Sequence, residues 1–224
     1  QVTRYLAEKS LHIDFIERLS EGGFGCVEML VSSERQLDES LIKAELLAIA
    51  RNEGVDIALQ AEGLFRRAKR LIVFDMDSTL INIECIDEVA DAAGRKAEVA
   101  AITEAAMRGE IADYKESLRR RVALLGGVPA TALEEVYTHR LRLNPGAREL
   151  VQACKAAGLK VLLVSGGFTY FTDRVRDELG IDYTRSNVFE IIEGRLTGRM
   201  LDQSWGDICD GEEKKRMLLQ TCTR

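Results

Sequence analysis

The segment LIVFDMDSTL, residues 71–80, runs an apolar stretch directly into two aspartates, Asp75 and Asp77, spaced two apart and followed by Ser78 and Thr79. Residues i and i+2 of extended backbone project to the same side, so both carboxylates would enter one crevice. Two like charges there are costly unless a cation neutralises them. Magnesium, a hard ion that takes oxygen ligands and keeps several waters, suits such a pair. One carboxylate can attack phosphorus to form an aspartyl phosphate, while its neighbour protonates the leaving oxygen and then deprotonates a water. The plainer reading stays open at this point: the pair begins a polar loop, with Asp77 or Ser78 capping the next helix.

Other chemistries have little to work with. His12 and His139 are the only histidines and lie far apart, which leaves no imidazole for a metal cluster or a serine-histidine-aspartate apparatus. Cys26, Cys85, Cys154, Cys209 and Cys222 are odd in number, scattered and never paired as C-x-x-C. That pattern fits neither a disulfide framework nor a zinc site, and points to the reducing cytoplasm. The 31 basic and 37 acidic residues are mixed along the chain and sum to −6, so no broad positive field invites nucleic acid or an anionic membrane. No apolar run reaches the length of a membrane span, and QVTRYLAEKS at the start lacks the build of a signal peptide.

Two kinds of organisation position these residues. LHIDFIERL (11–19) and CVEMLVS (26–32) predict a hairpin across EGGFG, and residues 38–54 predict a helix capped by Asp38 and stopped by Gly54. A further strand is expected over VDIALQA, 55–61. After the basic FRRAKR, strands alternate with helices, the mark of a parallel sheet covered on both faces. LIVF is apolar enough to predict a central strand. Helices are expected at 84–108 with a break at Gly94, at 113–125, at 131–141, and from Asn144-Pro145-Gly146 to Ala157. KVLLVS (160–165) predicts the next strand, followed by Gly166-Gly167, a helix ending near Gly180 and a hairpin at 188–200. The first and second parallel strands are thus separated by a helical insert of about 60 residues, able to roof the carboxyl end of the sheet.

LIVFDMDSTL resembles the first motif of the haloacid dehalogenase superfamily of phosphohydrolases. INIECIDEVADAAG, ITEAAMRGEI, SLRRRVALLGG and LLVSGGF, in that order, are similar to its phosphoserine phosphatase family over residues 71 to about 215. The resemblance implies an α/β fold, a Rossmannoid parallel sheet at 71–224 with a helical cap inserted at about 83–143. It implies magnesium-dependent hydrolysis of O-phospho-L-serine, the last step of serine biosynthesis, with Asp75 as nucleophile and metal ligand. Asp77 would be the general acid and base, with its carbonyl on the metal. Ser165 with the amides around Gly166 and Gly167 would hold the phosphoryl group, Glu84 and Arg121 would read the amino and carboxylate groups of the substrate, and Lys214 would neutralise charge at the nucleophile. Arg121 has support from its own surroundings: Tyr114, Leu118, Val122 and Leu125 form an apolar stripe, and Arg121 sits at its edge.

The family pattern continues with G-D-G-x-N-D about twenty residues beyond the lysine, its first aspartate completing the metal shell. GDICD (206–210) precedes Lys214 and follows no apolar strand, so it is rejected as that ligand. Residues 1–65 resemble the later part of an ACT regulatory domain, entered within its first helix. The expectation is a piece of a longer protein, with L-serine as a possible effector and a homodimer as a possible assembly. The competing readings are a catalytically silent amino-acid-binding or dimerisation module, and a phosphatase or phosphotransferase for another small phosphate ester.

Overall fold

The computed structural model describes residues 1–20, 25–63 and 68–223. The chain divides into two compact units, Gln1–Arg66 and Arg67–Arg224. In the first, α1 (Val2–Glu8) is followed by β1 (His12–Arg18) and β2 (Val27–Ser32), an antiparallel pair, and by α2 (Glu39–Glu53). The Asp38 side chain accepts the amides of Ser40 and Leu41, and Gly54 ends α2 in the left-handed conformation, φ +65°. Tyr5, Leu6, Leu11, Ile42 and Leu46 form its core. Residues 21–24 of the expected EGGFG turn lie outside the described residues.

The strand expected at 55–61 does not form. Its alternation is real, since Ile57 and Leu59 both pack on the core while their neighbours face away. Alternation reports which side chains are buried, whereas a strand also needs a partner edge for its amides and carbonyls, and neither β1 nor β2 pairs with this segment.

The second unit is built on β3 (Leu71–Phe74), β4 (Lys160–Phe168), β5 (Tyr183–Ile192) and β6 (Arg195–Leu201), hydrogen-bonded in that order. The first three run parallel, and β6 folds back on β5 through Glu193 and Gly194, both at positive φ. Side chains of β4 alternate across the sheet. Val161 and Leu163 enter the main core on one face, whereas Leu162 and Val164 meet Cys209 and Met217 on the other. β3 follows the same rule, with Ile72 and Phe74 on the first face and Leu71 and Val73 on the second. It is nevertheless an edge strand among the described residues, not the central one its apolar run predicts. Continuous apolarity requires cover on both faces, which β3 has, and says nothing of its backbone edges.

Between β3 and β4 lies the helical insert: α3 (Cys85–Ala92), α4 (Lys96–Met107), α5 (Tyr114–Ala123) and α6 (Thr131–Glu135), whose last turn runs on loosely through Arg140. Gly94, at φ +70°, makes the break between α3 and α4. The two ends of the insert are stitched together. Ile81 bridges Leu143, the Asn82 side chain and amide both bond Arg142, and Asn144 donates to the carbonyls of Thr79 and Ile81 at 2.8 and 3.1 Å. α7 (Ala147–Ala156), α8 (Thr169–Leu179) and α9 (Gly211–Cys222) complete the unit.

The start of β4 is pinned by Asp182. Its carboxylate accepts the Val161 amide at 3.0 Å and the Lys160 ammonium at 2.8 Å, with only 16% of the side chain exposed. Burial alone would raise this carboxyl, but those two donors and the nearby charge of Lys155 outweigh it and hold the group below the usual carboxylate range. A carboxylate more acidic in the folded than in the unfolded chain stabilises the fold above its unfolded pKa, and that stability disappears as pH falls through the folded value. Asp182→Asn is therefore expected to lower the unfolding free energy by about 1–2 kcal/mol at pH 7. Urea melts of both proteins should converge as the pH drops below about 4, the ordinary aspartate range.

Candidate active site

β3 delivers its chain to the carboxyl edge of the sheet, and Asp75 is the first residue beyond it, still extended at φ −80°, ψ 164°. Asp77 is also extended, at φ −60°, ψ 133°, and only at Ser78 does the backbone turn left-handed, φ +52°. A left-handed serine is an uncommon, costly conformation, held here by the Ser78 amide donating to the Ile83 carbonyl at 3.1 Å. Both aspartates line a cavity of about 280 Å³, together with Glu84, Ile86, Tyr114, Leu118, Arg121, Gly166, Gly167, Phe168 and Lys214.

The two carboxylates have different surroundings. Asp75 accepts its own neighbour's amide, Met76 N–H, at 2.9 Å, and its second oxygen meets the Lys214 ammonium at 2.5 Å. Asp77 accepts the Cys85 amide at 3.0 Å, and the Ser165 hydroxyl stands 3.4 Å from its other oxygen. Burial pushes the Asp77 carboxyl up to about 6, against the pull of the Cys85 amide and with a further push from Glu84 and Asp75. One acid is thus held by a lysine, and the other is poised to carry a proton near neutral pH.

Lys214 is positioned by the start of α9. The Asp210 side chain caps the helix through the Glu213 amide at 2.9 Å. Glu213, 1% exposed, pairs with Arg185 of β5 and with Arg216, which anchors the helix to the sheet. Adjacent Lys215 is exposed.

The glycine pair falls at the end of β4, before α8 begins, instead of opening that helix. A side chain at either position would displace a group of the site. A Cβ on Gly167 would lie 2.7 Å from the Asp77 oxygen, and one on Gly166 would lie 2.2 Å from the Tyr114 hydroxyl. Ser165 is fully buried and sits behind the cavity, where its Oγ accepts the Gly167 amide at 2.8 Å.

The insert supplies the remaining wall. Glu84 is the residue just before α3, and its carboxylate accepts the Ser78 hydroxyl at 2.6 Å. On α5, Leu118, Val122 and Leu125 are buried, and Arg121 reaches the cavity from the edge of their stripe. Its Nε is buried with no hydrogen-bond partner, as is Oδ1 of nearby Asp87. Burial raises the Asp87 carboxyl while the charge of Arg121 opposes the rise. A buried guanidinium N–H without an acceptor, on the wall of a polar cavity, is a ready site for an anion. Arg119 and Arg120 turn outward, to Asp207 and Glu116.

Tyr114 belongs to the site beyond its part in the apolar stripe. It lies two helical turns before Arg121 on the same face, a spacing that could have marked it. Its phenol, desolvated against Gly166, is pushed up to about 12. The aspartates of GDICD have other work: Asp210 caps α9, and Asp207 accepts Lys115 at 2.8 Å and Arg119 at 2.6 Å. These ion pairs clasp α5 to the segment preceding α9; being exposed, each contributes about 0.2–1 kcal/mol.

A helical insert over the carboxyl edge of an α/β sheet, with two aspartates at the end of its first strand, defines a class of hydrolase. Residues 72–223 match the haloacid dehalogenase-like hydrolase family, and the chain belongs to it. Within that family it is 80% identical over 153 residues to the phosphoserine phosphatase of Polaromonas sp., a match covering 68% of this chain and 65% of that protein. It is 44% identical over 213 residues to the phosphoserine phosphatase of Streptomyces coelicolor, covering 95% of this chain and 50% of that one. The solved structure of a phospho-aspartyl intermediate analogue of a phosphoserine phosphatase superposes with a TM-score of 0.62 at 37% identity, over 69% of this chain and 71% of the other. The chain therefore spans about one half to two thirds of the length of these curated relatives.

Proposed function

We propose that the protein hydrolyses O-phospho-L-serine to L-serine and phosphate through an aspartyl phosphate on Asp75. The observation that supports this best is the division of labour inside one cavity, with Asp75 against Lys214 at 2.5 Å and Asp77 held by the Cys85 amide at 3.0 Å, its carboxyl raised by burial. The similarity to named phosphoserine phosphatases points the same way.

In this reading an ionised Asp75 oxygen attacks phosphorus, and the bond from phosphorus to the serine oxygen breaks. Asp77 gives its proton to that leaving oxygen and is left as a base. It then takes a proton from water, whose oxygen attacks phosphorus and breaks the bond to Asp75, releasing phosphate. Lys214 offsets charge on the nucleophile and the phosphoryl oxygens. Arg121 offers its unpartnered N–H to the substrate carboxylate, and Glu84, at the mouth of the insert, faces the ammonium. Buried Ile86, Leu118 and Phe168 exclude water from the wall.

Magnesium fits the donors present. Asp75 and Asp77 are hard oxygen ligands in one cavity, and this ion is commonly held by one or two carboxylates plus waters and a substrate phosphate. Bound there, with Asp75 offering its carboxylate and Asp77 its backbone carbonyl, it would offset the charge of the nucleophile and of the phosphoryl group. Among the described residues no cluster of three or more histidine, cysteine, aspartate or glutamate side chains adds to that pair.

The first unit is read as an ACT-like module that senses L-serine or joins two chains, supported by its helix-strand-strand-helix order. Five free cysteines, two of them exposed, agree with a reducing cytoplasm. Among the described residues no helix is long and apolar enough to cross a membrane.

Phosphate release from O-phospho-L-serine is expected only with magnesium, and is expected to fall at least about a thousandfold in Asp75→Asn, which removes the nucleophile. Equal turnover of other small phosphate esters, or survival of activity in Asp75→Asn, would contradict the reading. Arg121→Ala is expected to raise KM for phosphoserine about 10–100-fold, the worth of one charge-assisted hydrogen bond, with kcat changed much less. Steady-state kinetics that left KM where it was would remove Arg121 from substrate recognition.

A further inference from the structure

We infer that Asn187 is the positioning residue that holds the Gly166-Gly167 turn in place at the cavity wall and locks it to the start of the Lys214 helix; this rests on the phosphatase reading above. Asn187 lies on β5, in register with Phe168 of β4, and is 1% exposed. Its Nδ2 donates to the carbonyls of Gly166 at 2.7 Å and Gly167 at 3.2 Å, and its Oδ1 accepts the Cys209 amide at 2.8 Å. These three partners fix the orientation of the side-chain amide. The flipped form would set N–H against N–H and oxygen against two carbonyls.

The consequence follows from the planar trans peptide, in which the carbonyl of one residue and the amide of the next point in opposite directions. Drawing the Gly166 and Gly167 carbonyls back toward Asn187 turns the amides of Gly167 and Phe168 the other way. For Gly167 the N–H meets Ser165 Oγ, which in turn stands 3.4 Å from Asp77, so the turn is held against the buried side of the site. Asn187 itself is absent from the cavity lining, so it acts on the glycine peptides from behind.

Its third bond carries the same restraint to the lysine. Cys209 directly precedes Asp210, whose side chain caps α9 and whose carbonyl accepts the Lys214 amide at 2.9 Å. A single buried side chain therefore ties the backbone donors expected to hold a phosphoryl group to the helix that delivers the ammonium expected to neutralise it. Asn187→Asp tests this closely, because a carboxylate keeps the bond to the Cys209 amide while placing an oxygen against two carbonyls it can no longer donate to.

The test uses the full chain with magnesium, and titrates inorganic phosphate by calorimetry and L-serine as a competitive inhibitor, as separate probes alongside turnover of phosphoserine. Asn187→Asp is expected to weaken phosphate binding about tenfold or more, a loss of one or two buried hydrogen bonds, and to lower kcat at least as much. The cavity's affinity for L-serine, read as competitive inhibition of turnover and set by the insert, should stay within about threefold, less than one buried hydrogen bond is worth. Asn187→Ala, which removes the donors without adding repulsion, should give a smaller loss of the same kind, and stands in should the aspartate variant fail to fold. Unchanged phosphate affinity in either folded variant would overturn the inference, as would equal weakening of both probes, the signature of a merely structural role. Failure of the wild-type chain to bind phosphate would overturn the phosphatase reading itself, and this inference with it.

Discussion

Two carboxylates two residues apart at the end of a strand share one cavity, where their like charges repel. The structure meets this constraint by giving each a different neighbour. Asp75 stands against Lys214, brought from α9 more than a hundred residues later, while half-buried Asp77 accepts the Cys85 amide and its carboxyl is raised to about 6. Most of the surrounding architecture serves that asymmetry. Gly167 lacks the Cβ that would collide with Asp77, the left-handed Ser78 swings the chain out of the way, and buried Glu213 holds the helix that carries the lysine.

The rest of the site comes from the insert, and the division is physical as well as topological. The sheet edge supplies groups suited to bond-making: carboxylates, glycine backbone and an ammonium. The insert supplies groups suited to recognition: Arg121 with its unpartnered Nε, Glu84, and the apolar wall of α5. The insert is stitched at its neck by Asn144 and its neighbours, and clasped to the segment before α9 by Lys115 and Arg119 on Asp207. Exposed ion pairs of that kind are individually weak. The position of α5 against the core therefore rests mainly on its buried stripe, Leu118, Val122 and Leu125.

Local signals in the sequence reached far but had a definite limit. Helix ends marked by Asp38, Gly54 and Gly94 were legible because caps and left-handed glycines act within a few residues. The alternation at 55–61 reads as a strand, yet the fold uses it only to bury Ile57 and Leu59, since pairing depends on a partner elsewhere in the chain. LIVF reads as central because its faces are apolar, whereas its place at an edge among the described residues depends on which strands assemble beside it. At the site, the residue types and spacing of Asp75, Asp77 and the glycines marked them, and Arg121 stood out from Arg119 and Arg120 by its place on the stripe. Tyr114 was noticed only as an apolar residue, although its spacing from Arg121 held the clue. Asn187 carried no local signal: its three partners lie about twenty residues away in either direction and meet only when the strands assemble.

The account stands or falls on Asp75 being the atom donor to phosphorus. Mixing the chain with O-phospho-L-serine and magnesium, quenching in acid within the first turnovers and weighing the proteolytic peptides would locate any transferred phosphoryl group. The account predicts a phosphate-sized mass gain on the peptide spanning residues 71–80, mapped by fragmentation to Asp75. A phosphoryl group on Asp77, Ser165 or any other side chain, or turnover with no labelled peptide at all, would contradict it.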